Sequence, residues 1–200
     1  ISHEIRTPLN TVIGFGDQLK KTNLGPKQKS FLEAIQNASD HLLSIVDETI
    51  TLSQVEAGEI SIDNVPFELG SVFSQVDKML CIRAEKKNIK LSFSVAENKL
   101  PVLLGDPDRL KQILINLISN AIKFTEKGNV MVSHSVFRES ENMLEVQFRI
   151  KDTGIGIPRE KLESIFKEYT QADSSITRKY GGSGLGPTIS CKLIELQGGR

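Results

Sequence analysis

Several clusters along this chain combine residue types and spacings that could do chemistry. Near the C-terminal end, residues 179–187 read Lys-Tyr-Gly-Gly-Ser-Gly-Leu-Gly-Pro, with four glycines in six residues, and run into a helical pattern over 189–196. Backbone N–H groups bared at a helix start can receive phosphate, because the helix dipole points its positive end at the same spot. No Lys-Ser or Lys-Thr follows these glycines, so this is not a Walker A loop, and Pro187 breaks the dinucleotide fingerprint. A plain helix-entry turn fits the loop about as well when it is taken alone. At the other end, His3 stands beside Glu4, with Thr7 one helical turn further on. An exposed imidazole next to a carboxylate can act in proton or group transfer, although a solvated helix end is the commoner fate of a single His. Zinc-protease chemistry is excluded, since Thr7 occupies the place of the second His in His-Glu-x-x-His.

Two further clusters lie between these. Asn116, Asn120 and Lys123 share one side of a helical pattern, where two amides and an amine could hold a magnesium ion and neutralise phosphate oxygens. An ordinary polar helix face accounts for them equally. Asp152-Thr-Gly154-Ile-Gly156 closes a strand pattern, placing one carboxylate where alternating glycines let a flat ligand approach the backbone. That carboxylate could accept a hydrogen bond from an exocyclic amine such as adenine carries; a tight strand-to-helix turn is the alternative.

The elements that must position these groups follow from periodicity. Ile5, Leu9, Val12, Ile13 and Leu19 line one side of a helix over 5–19, with His3 nearly opposite and a distortion expected at Pro8. Turn residues at 23–26 lead to a second helix carrying Phe31, Ile35, Ala38, Leu42, Ile45, Val46 and Leu52 through about residue 55. Such a hairpin cannot cover both of its stripes, so pairing with a second copy into a four-helix bundle is predicted. Residues 57–66 read as a linker with some strand character at 60–62, and mixed α and β patterns follow. A helix over 69–85 leads to a strand over 89–95. Asp106-Pro107 opens a helix that buries Leu110, Ile113, Leu114, Leu117, Ile118 and Ala121. Strands over 130–137 and 144–150 pair across a turn at 138–142, a short helix covers 160–166, and the polar stretch 167–180 suggests a lid.

Composition narrows the classes. The 25 basic and 25 acidic residues balance, which gives no general attraction to nucleic acid or to an anionic membrane. Cys81 and Cys191 have neither metal nor redox spacing and read as buried thiols in a reducing compartment. No spanning apolar run or signal peptide is visible, and a fragment of a longer protein is expected at both ends.

Taken in order, the motifs resemble those of sensor histidine kinases. Ser2-His3-Glu4-Ile-Arg-Thr7-Pro-Leu-Asn10 is similar to the H box, and Asn116-Leu-Ile-Ser-Asn120-Ala-Ile-Lys123-Phe124-Thr to the N box. Asp152-Thr-Gly154-Ile-Gly156 is similar to the G1 box, Gly181-Gly182-Ser183-Gly184-Leu185-Gly186 to the G2 box, and Phe166 stands as the F box between them. The stretch 171–180 is similar to the lid of hybrid kinases that carry a receiver domain. The resemblance covers essentially the whole chain and implies an α+β multidomain fold: a helical hairpin over 1–57 forming a dimeric four-helix bundle, a linker over 58–66, and an α/β sandwich ATP-binding domain of the Bergerat, or GHKL-like, type over 67–200.

It also implies roles. His3 would be the phosphoacceptor, Glu4 its general base or orienter, and Thr7 the residue that holds water for phosphatase action on the partner. Asn120 would hold Mg²⁺, with Asn116 a second candidate ligand, and Lys123 would meet phosphate oxygens. Asp152 would take the adenine amine, with Gly154 and Gly156 admitting the base. Phe124, Gly182, Ser183, Gly184, Leu185 and Gly186 complete the nucleotide-binding set. The implied activity is ATP- and Mg²⁺-dependent autophosphorylation in a homodimer, followed by transfer to an aspartate of a response-regulator receiver domain. No nucleic acid or membrane contact is expected, and the fragment is expected in the cytoplasm, with any membrane anchor elsewhere in the full-length protein. The family usually has Leu or another apolar residue where Pro187 stands, and it continues into further strands beyond residue 200.

Overall fold

The computed structural model describes residues 2–94, 101–140, 143–162 and 183–200. It contains two compact units, Ile1–Ile60 and Ser61–Arg200. The first is an antiparallel hairpin of α1 (Ser2–Lys20) and α2 (Pro26–Glu56). Helix α1 runs continuously through Pro8. Gly25 precedes α2, Pro26 fills its first turn where no N–H is needed, and Gln28 Oε1 accepts from the Gly25 N–H at 2.9 Å. Gly16 is buried against the Gln36 side chain, and Gln36 Nε2 donates to Asp17 Oδ1 at 2.9 Å. Arg6 and Asp47 join the far end of the hairpin at 2.8 Å.

The apolar stripes mostly do not face each other within this hairpin. Leu32, Gln36, Ser39 and Leu52 are the buried residues of α2, whereas Phe31, Ile35 and Leu42 are exposed, as are Ile5, Val12, Phe15 and Leu19 of α1. Both Phe15 and Phe31 are 67% exposed, which leaves two aromatic rings facing outward in a single copy.

The second unit begins with β1 (Val65–Phe67), followed by α3 (Leu69–Lys86), β2 (Ile89–Ser94), β3 (Leu103–Gly105) and α4 (Pro107–Phe124). Then come β4 (Gly128–Ser140), β5 (Met143–Asp152), a single 3₁₀ turn at Arg159–Lys161 and α5 (Gly186–Leu196). The central sheet has the order β2-β4-β5: β2 runs parallel to β4, and β4 antiparallel to β5. Strands β1 and β3 form a separate antiparallel pair.

One core fills the space between the sheet and α3 with α4. Phe73, Val76, Ile118 and Ile122 meet Val130 and Val132 there. Burial of these side chains, at about 1.5–3 kcal/mol each, is the main force holding α4 to the sheet. His134 occupies the next inward position of β4, its ring 5.5 Å from that of Phe73.

Several elements differ from the sequence-based expectations. Strand character expected at 60–62 falls instead at Val65–Phe67, across the end of the stretch taken as linker, because Val65 to Phe67 find partners in β3. The strand β3 was not predicted: three residues are too few to display a period. Strands β4 and β5 run further than expected, through part of the assumed turn, since pairing with a neighbour extends a ladder past its apolar residues. The 3₁₀ turn is what is described of the short helix expected over 160–166. The expected lid, Phe166 and Gly182 lie outside the described residues.

Candidate functional site

Helix α4 organises the site. Its N-cap is Asp106, whose Oδ1 accepts from the Arg109 N–H at 2.9 Å and whose Oδ2 accepts from the Asp63 N–H at 3.1 Å. Capping satisfies a first-turn donor that the helix itself cannot. In the same turn, a 2.6 Å hydrogen bond from Lys111 holds the Asp108 carboxyl below its usual range. With Leu114, Ile118 and Ile122 turned into the core, Asn116, Asn120 and Lys123 occupy another side.

These three residues have different surroundings. Asn116 Nδ2 donates to the Gly186 carbonyl at 2.5 Å and to Ser190 Oγ at 3.0 Å, so its amide binds α4 to the start of α5. Asn120, half-buried one turn later, has no hydrogen-bond partner for its side chain among the described residues. Lys123 places its ammonium 5.0 Å from the centre of the Phe124 ring, a favourable cation–π contact.

The loop after β5 rests on the last turn of α4. Ile155 N–H donates to the Phe124 carbonyl at 3.3 Å. A Cβ on residue 154 would collide with that same carbonyl, so only glycine permits the approach. The loop is held from its other side by Thr153, whose Oγ1 accepts from the Asn129 N–H at 3.0 Å. Asp152 Oδ1 accepts from the Gly154 N–H at 2.8 Å. The carboxylate is thereby oriented by its own loop, while Oδ2 has no partner among the described residues. Gly156 has φ 68° and completes the turn.

At the other edge of α4, Gly184 has φ 78° and Ser183 Oγ accepts from the Leu185 N–H at 3.0 Å. Leu185 is fully buried, and Gly186 lies against the Asn116 amide so closely that a Cβ would overlap it. The N-cap residue of α5, Leu185, makes no side-chain cap bond, and Pro187 occupies the first turn.

The fold therefore brings Asp152, Gly154 and Phe124 together at one end of α4, and Asn116 with Gly186 at the middle of it. His3, Glu4 and Thr7 belong to the other compact unit, on α1. Glu4 and Thr7 are exposed, with the Thr7 carbonyl accepting from Thr11 Oγ1 at 3.0 Å; the side chain of His3 lies outside the described residues.

The donor set fits a magnesium nucleotide. Asn120 is a half-buried amide without a hydrogen-bond partner among the described residues, Lys123 follows it by about one turn, and Asp152 is oriented by the loop that rests on the end of α4. Asn120 suits an Mg²⁺ ligand; the Nδ2 of Asn116 is engaged by α5, so a metal role for Asn116 would fall to its Oδ1. Positioning residues were missed. In the sequence Thr153 stands only as part of a motif, although a hydroxyl next to an Asp-Gly turn is a fair signal for a loop anchor. The ammonium of Lys87, at the end of α3, donates to the carbonyls of Ile122, Lys123 and Thr125 of α4 and its C-cap, which the sequence does not signal, as a Lys at a helix end points to the carbonyls of its own helix. Nor did the sequence suggest that Asp106 would also receive the Asp63 N–H.

The family model of the His Kinase A (phospho-acceptor) domain matches residues 1–58, and that of the histidine kinase-, DNA gyrase B- and HSP90-like ATPases matches residues 105–200. Over 199 residues the chain is 41% identical to Sensor protein GacS of Pseudomonas syringae pv. syringae, which includes all of this chain and 22% of that protein. It is 41% identical over 197 residues to Hybrid signal transduction histidine kinase L of Dictyostelium discoideum, covering 98% of this chain and 12% of that one. Among solved structures, full-length ShkA in complex with AMPPNP superposes with a TM-score of 0.77 at 34% identity, over 98% of this chain and 40% of that one. The chain thus spans less than a quarter of the length of these two curated relatives.

Proposed function

The chain belongs to the sensor histidine kinase family, and we propose that this stretch is the catalytic core of a two-component signalling protein. It phosphorylates His3 from ATP and passes the phosphoryl group to an aspartate of a response-regulator receiver domain. A neutral ring nitrogen of His3 attacks the γ-phosphorus; the new P–N bond forms as the bond to the β–γ bridging oxygen breaks, and ADP leaves. Glu4 orients the ring and accepts its proton, and Thr7, one turn on, positions water for the phosphatase reaction on the partner. Phosphoryl transfer needs mainly positioning and charge neutralisation, which suits a divided acceptor and nucleotide site.

The observation that supports this most is the placement of Asp152. With Oδ1 held by Gly154, its Oδ2 is left to accept from an adenine amine beside the end of α4. Gly154 and Gly156 admit the base, and Phe124, whose carbonyl accepts the Ile155 N–H, belongs to the same end of the site. Lys123 meets phosphate oxygens, and Gly182, Ser183, Gly184, Leu185 and Gly186 form the loop over the triphosphate. Asn120 would hold Mg²⁺, which supplies charge neutralisation between the phosphates when bound. Asn116 keeps the glycine loop and α5 against α4.

The domain scheme we propose is a phosphoacceptor hairpin over 1–57, a hinge within 58–66 and the nucleotide domain over 67–200. The outward Phe15 and Phe31 support a homodimer, in which two hairpins bury their stripes as a four-helix bundle. Relatives named as hybrid kinases support a receiver domain as the partner, in the same chain or another. Among the described residues no helix is long and apolar enough to cross a membrane; we place this core in the cytoplasm, whatever anchors the full-length protein.

The test is autophosphorylation of the full-length protein with Mg²⁺ and γ-labelled ATP, beside His3→Gln. Label that is acid-labile, stable in base and absent from the variant is the expected result. The absence of both label and bound nucleotide would overturn the kinase and leave a module that signals by protein contact.

A further inference from the structure

We infer that Lys87 is a positioning residue for the adenine-binding loop, acting through the C-terminal turn of α4. It follows α3 directly, and Asn88, in the left-handed region at φ 55°, then turns the chain into β2. Asparagine tolerates that conformation better than other non-glycine residues. The Lys87 ammonium does not return to its own helix. It donates to the carbonyls of Ile122 at 2.8 Å, Lys123 at 2.8 Å and Thr125 at 3.2 Å.

An ammonium has three protons, and these three acceptors match them. Within 122–125 this leaves one carbonyl for another donor, that of Phe124, which accepts the Ile155 N–H and lies against Gly154. Lys87 thereby sorts the carbonyls at the end of α4: three face a cation and the fourth faces the loop. The last carbonyls of a helix have no intrahelical donor and carry the negative end of its dipole. Without the cation they would compete for the loop N–H groups, and the turn that presents Phe124 would no longer be fixed. Asp152 is coupled to this turn through Gly154, whose N–H it accepts. Of the residues assigned to phosphate, Lys87 meets only Lys123, and that at its backbone carbonyl and not at its ammonium, so its loss is expected in nucleotide affinity and not in the transfer step.

The inference rests on the assignment of Asp152 to adenine, and the experiment separates the two. ADP dissociation constants and autophosphorylation kinetics are measured on the full-length protein, well below its melting temperature, for Lys87→Met, Lys87→Arg and Asp152→Asn. Lys87→Met is expected to raise Kd for ADP and KM for ATP about tenfold, with kcat at saturating ATP within about twofold. Lys87→Arg, which keeps the charge and donors, is expected to recover affinity to within about threefold. Wild-type ADP affinity in Lys87→Met, even with a lowered melting temperature, would overturn the inference. Should that variant not fold, Lys87→Gln, which keeps two donors without the charge, decides by the same criterion. If Asp152→Asn retains full ADP affinity, the adenine assignment itself is wrong; if it loses affinity and Lys87→Met does not, only the role of Lys87 fails.

Discussion

The Asn116 amide and the Gly186 backbone are fitted to each other. Nδ2 donates to the Gly186 carbonyl at 2.5 Å, and Oδ1 stands where a Cβ on residue 186 would be. Two residues seventy positions apart thus join the motif of α4 to the glycine loop at the start of α5. Asn120, on the same helix and chemically identical, has no such partner among the described residues.

This difference separates two roles that the sequence leaves together. Asn116→Ala strands a half-buried carbonyl and a serine hydroxyl, and is expected to cost about 1–3 kcal/mol of stability. Asn120→Ala is expected to stay within about 0.5 kcal/mol of the parent, as a surface-like substitution does, while Mg²⁺-dependent ATP affinity falls at least tenfold. Thermal melts with and without Mg²⁺–ATP would check both. Equal destabilisation by the two would contradict the division of roles.

Pro187 removes one N–H from a helix start whose N-cap residue, Leu185, makes no side-chain cap bond. Its ring suits the first turn, so Pro187→Leu is expected to change stability by less than about 1 kcal/mol. The restored donor and looser backbone are expected to tighten ATP binding by about twofold to fivefold. Calorimetric titration of both forms would show it, and weaker binding in the Leu variant would mean that the proline pre-organises the loop.

Phe15 and Phe31 are largely exposed in one copy of the hairpin. If two copies bury them, Phe31→Asp is expected to convert dimer to monomer at micromolar concentration while helix content is kept. Sedimentation equilibrium with circular dichroism reads both quantities. A dimer that survives Phe15→Asp and Phe31→Asp together would place the interface elsewhere.

His134 is a buried polar residue whose Nδ1 has no hydrogen-bond partner among the described residues, and burial pushes its pKa below the ordinary 6.5. The unfolded chain therefore takes up this proton near pH 6.5, and the folded chain only at lower pH. Over that interval the unfolded state binds more protons, so stability falls as the pH is lowered and levels off once the folded form also titrates. Denaturant unfolding between about pH 7.5 and pH 5 is expected to show a smaller loss in His134→Leu than in the parent. An identical pH dependence would assign the effect to other groups.

Local rules determined much of this protein from the sequence alone. Asp106-Pro107 and Gly25-Pro26 start helices because a cap and a first-turn proline act on their own neighbours, and the stripe through Leu114, Ile118 and Ile122 is buried because 3.6-residue periodicity admits one core face. The glycines of the two nucleotide motifs were legible for the same reason, since backbone freedom is a property of the residue itself. Only the tertiary structure decided which polar groups meet. That Asn116 is spent on Gly186 while Asn120 is left open, that Lys87 reaches past its own helix to α4, and that His134 lies inward beside Phe73 all depend on segments distant in sequence. Periodicity says which side of an element is apolar, and it does not say which element will lie opposite. Even the hairpin stripes illustrate this, as their pattern was plain but their outward direction follows from the packing of Leu32 and Gln36 against α1. Side-chain partners across such distances are fixed by the packing of the whole core, which no local pattern encodes.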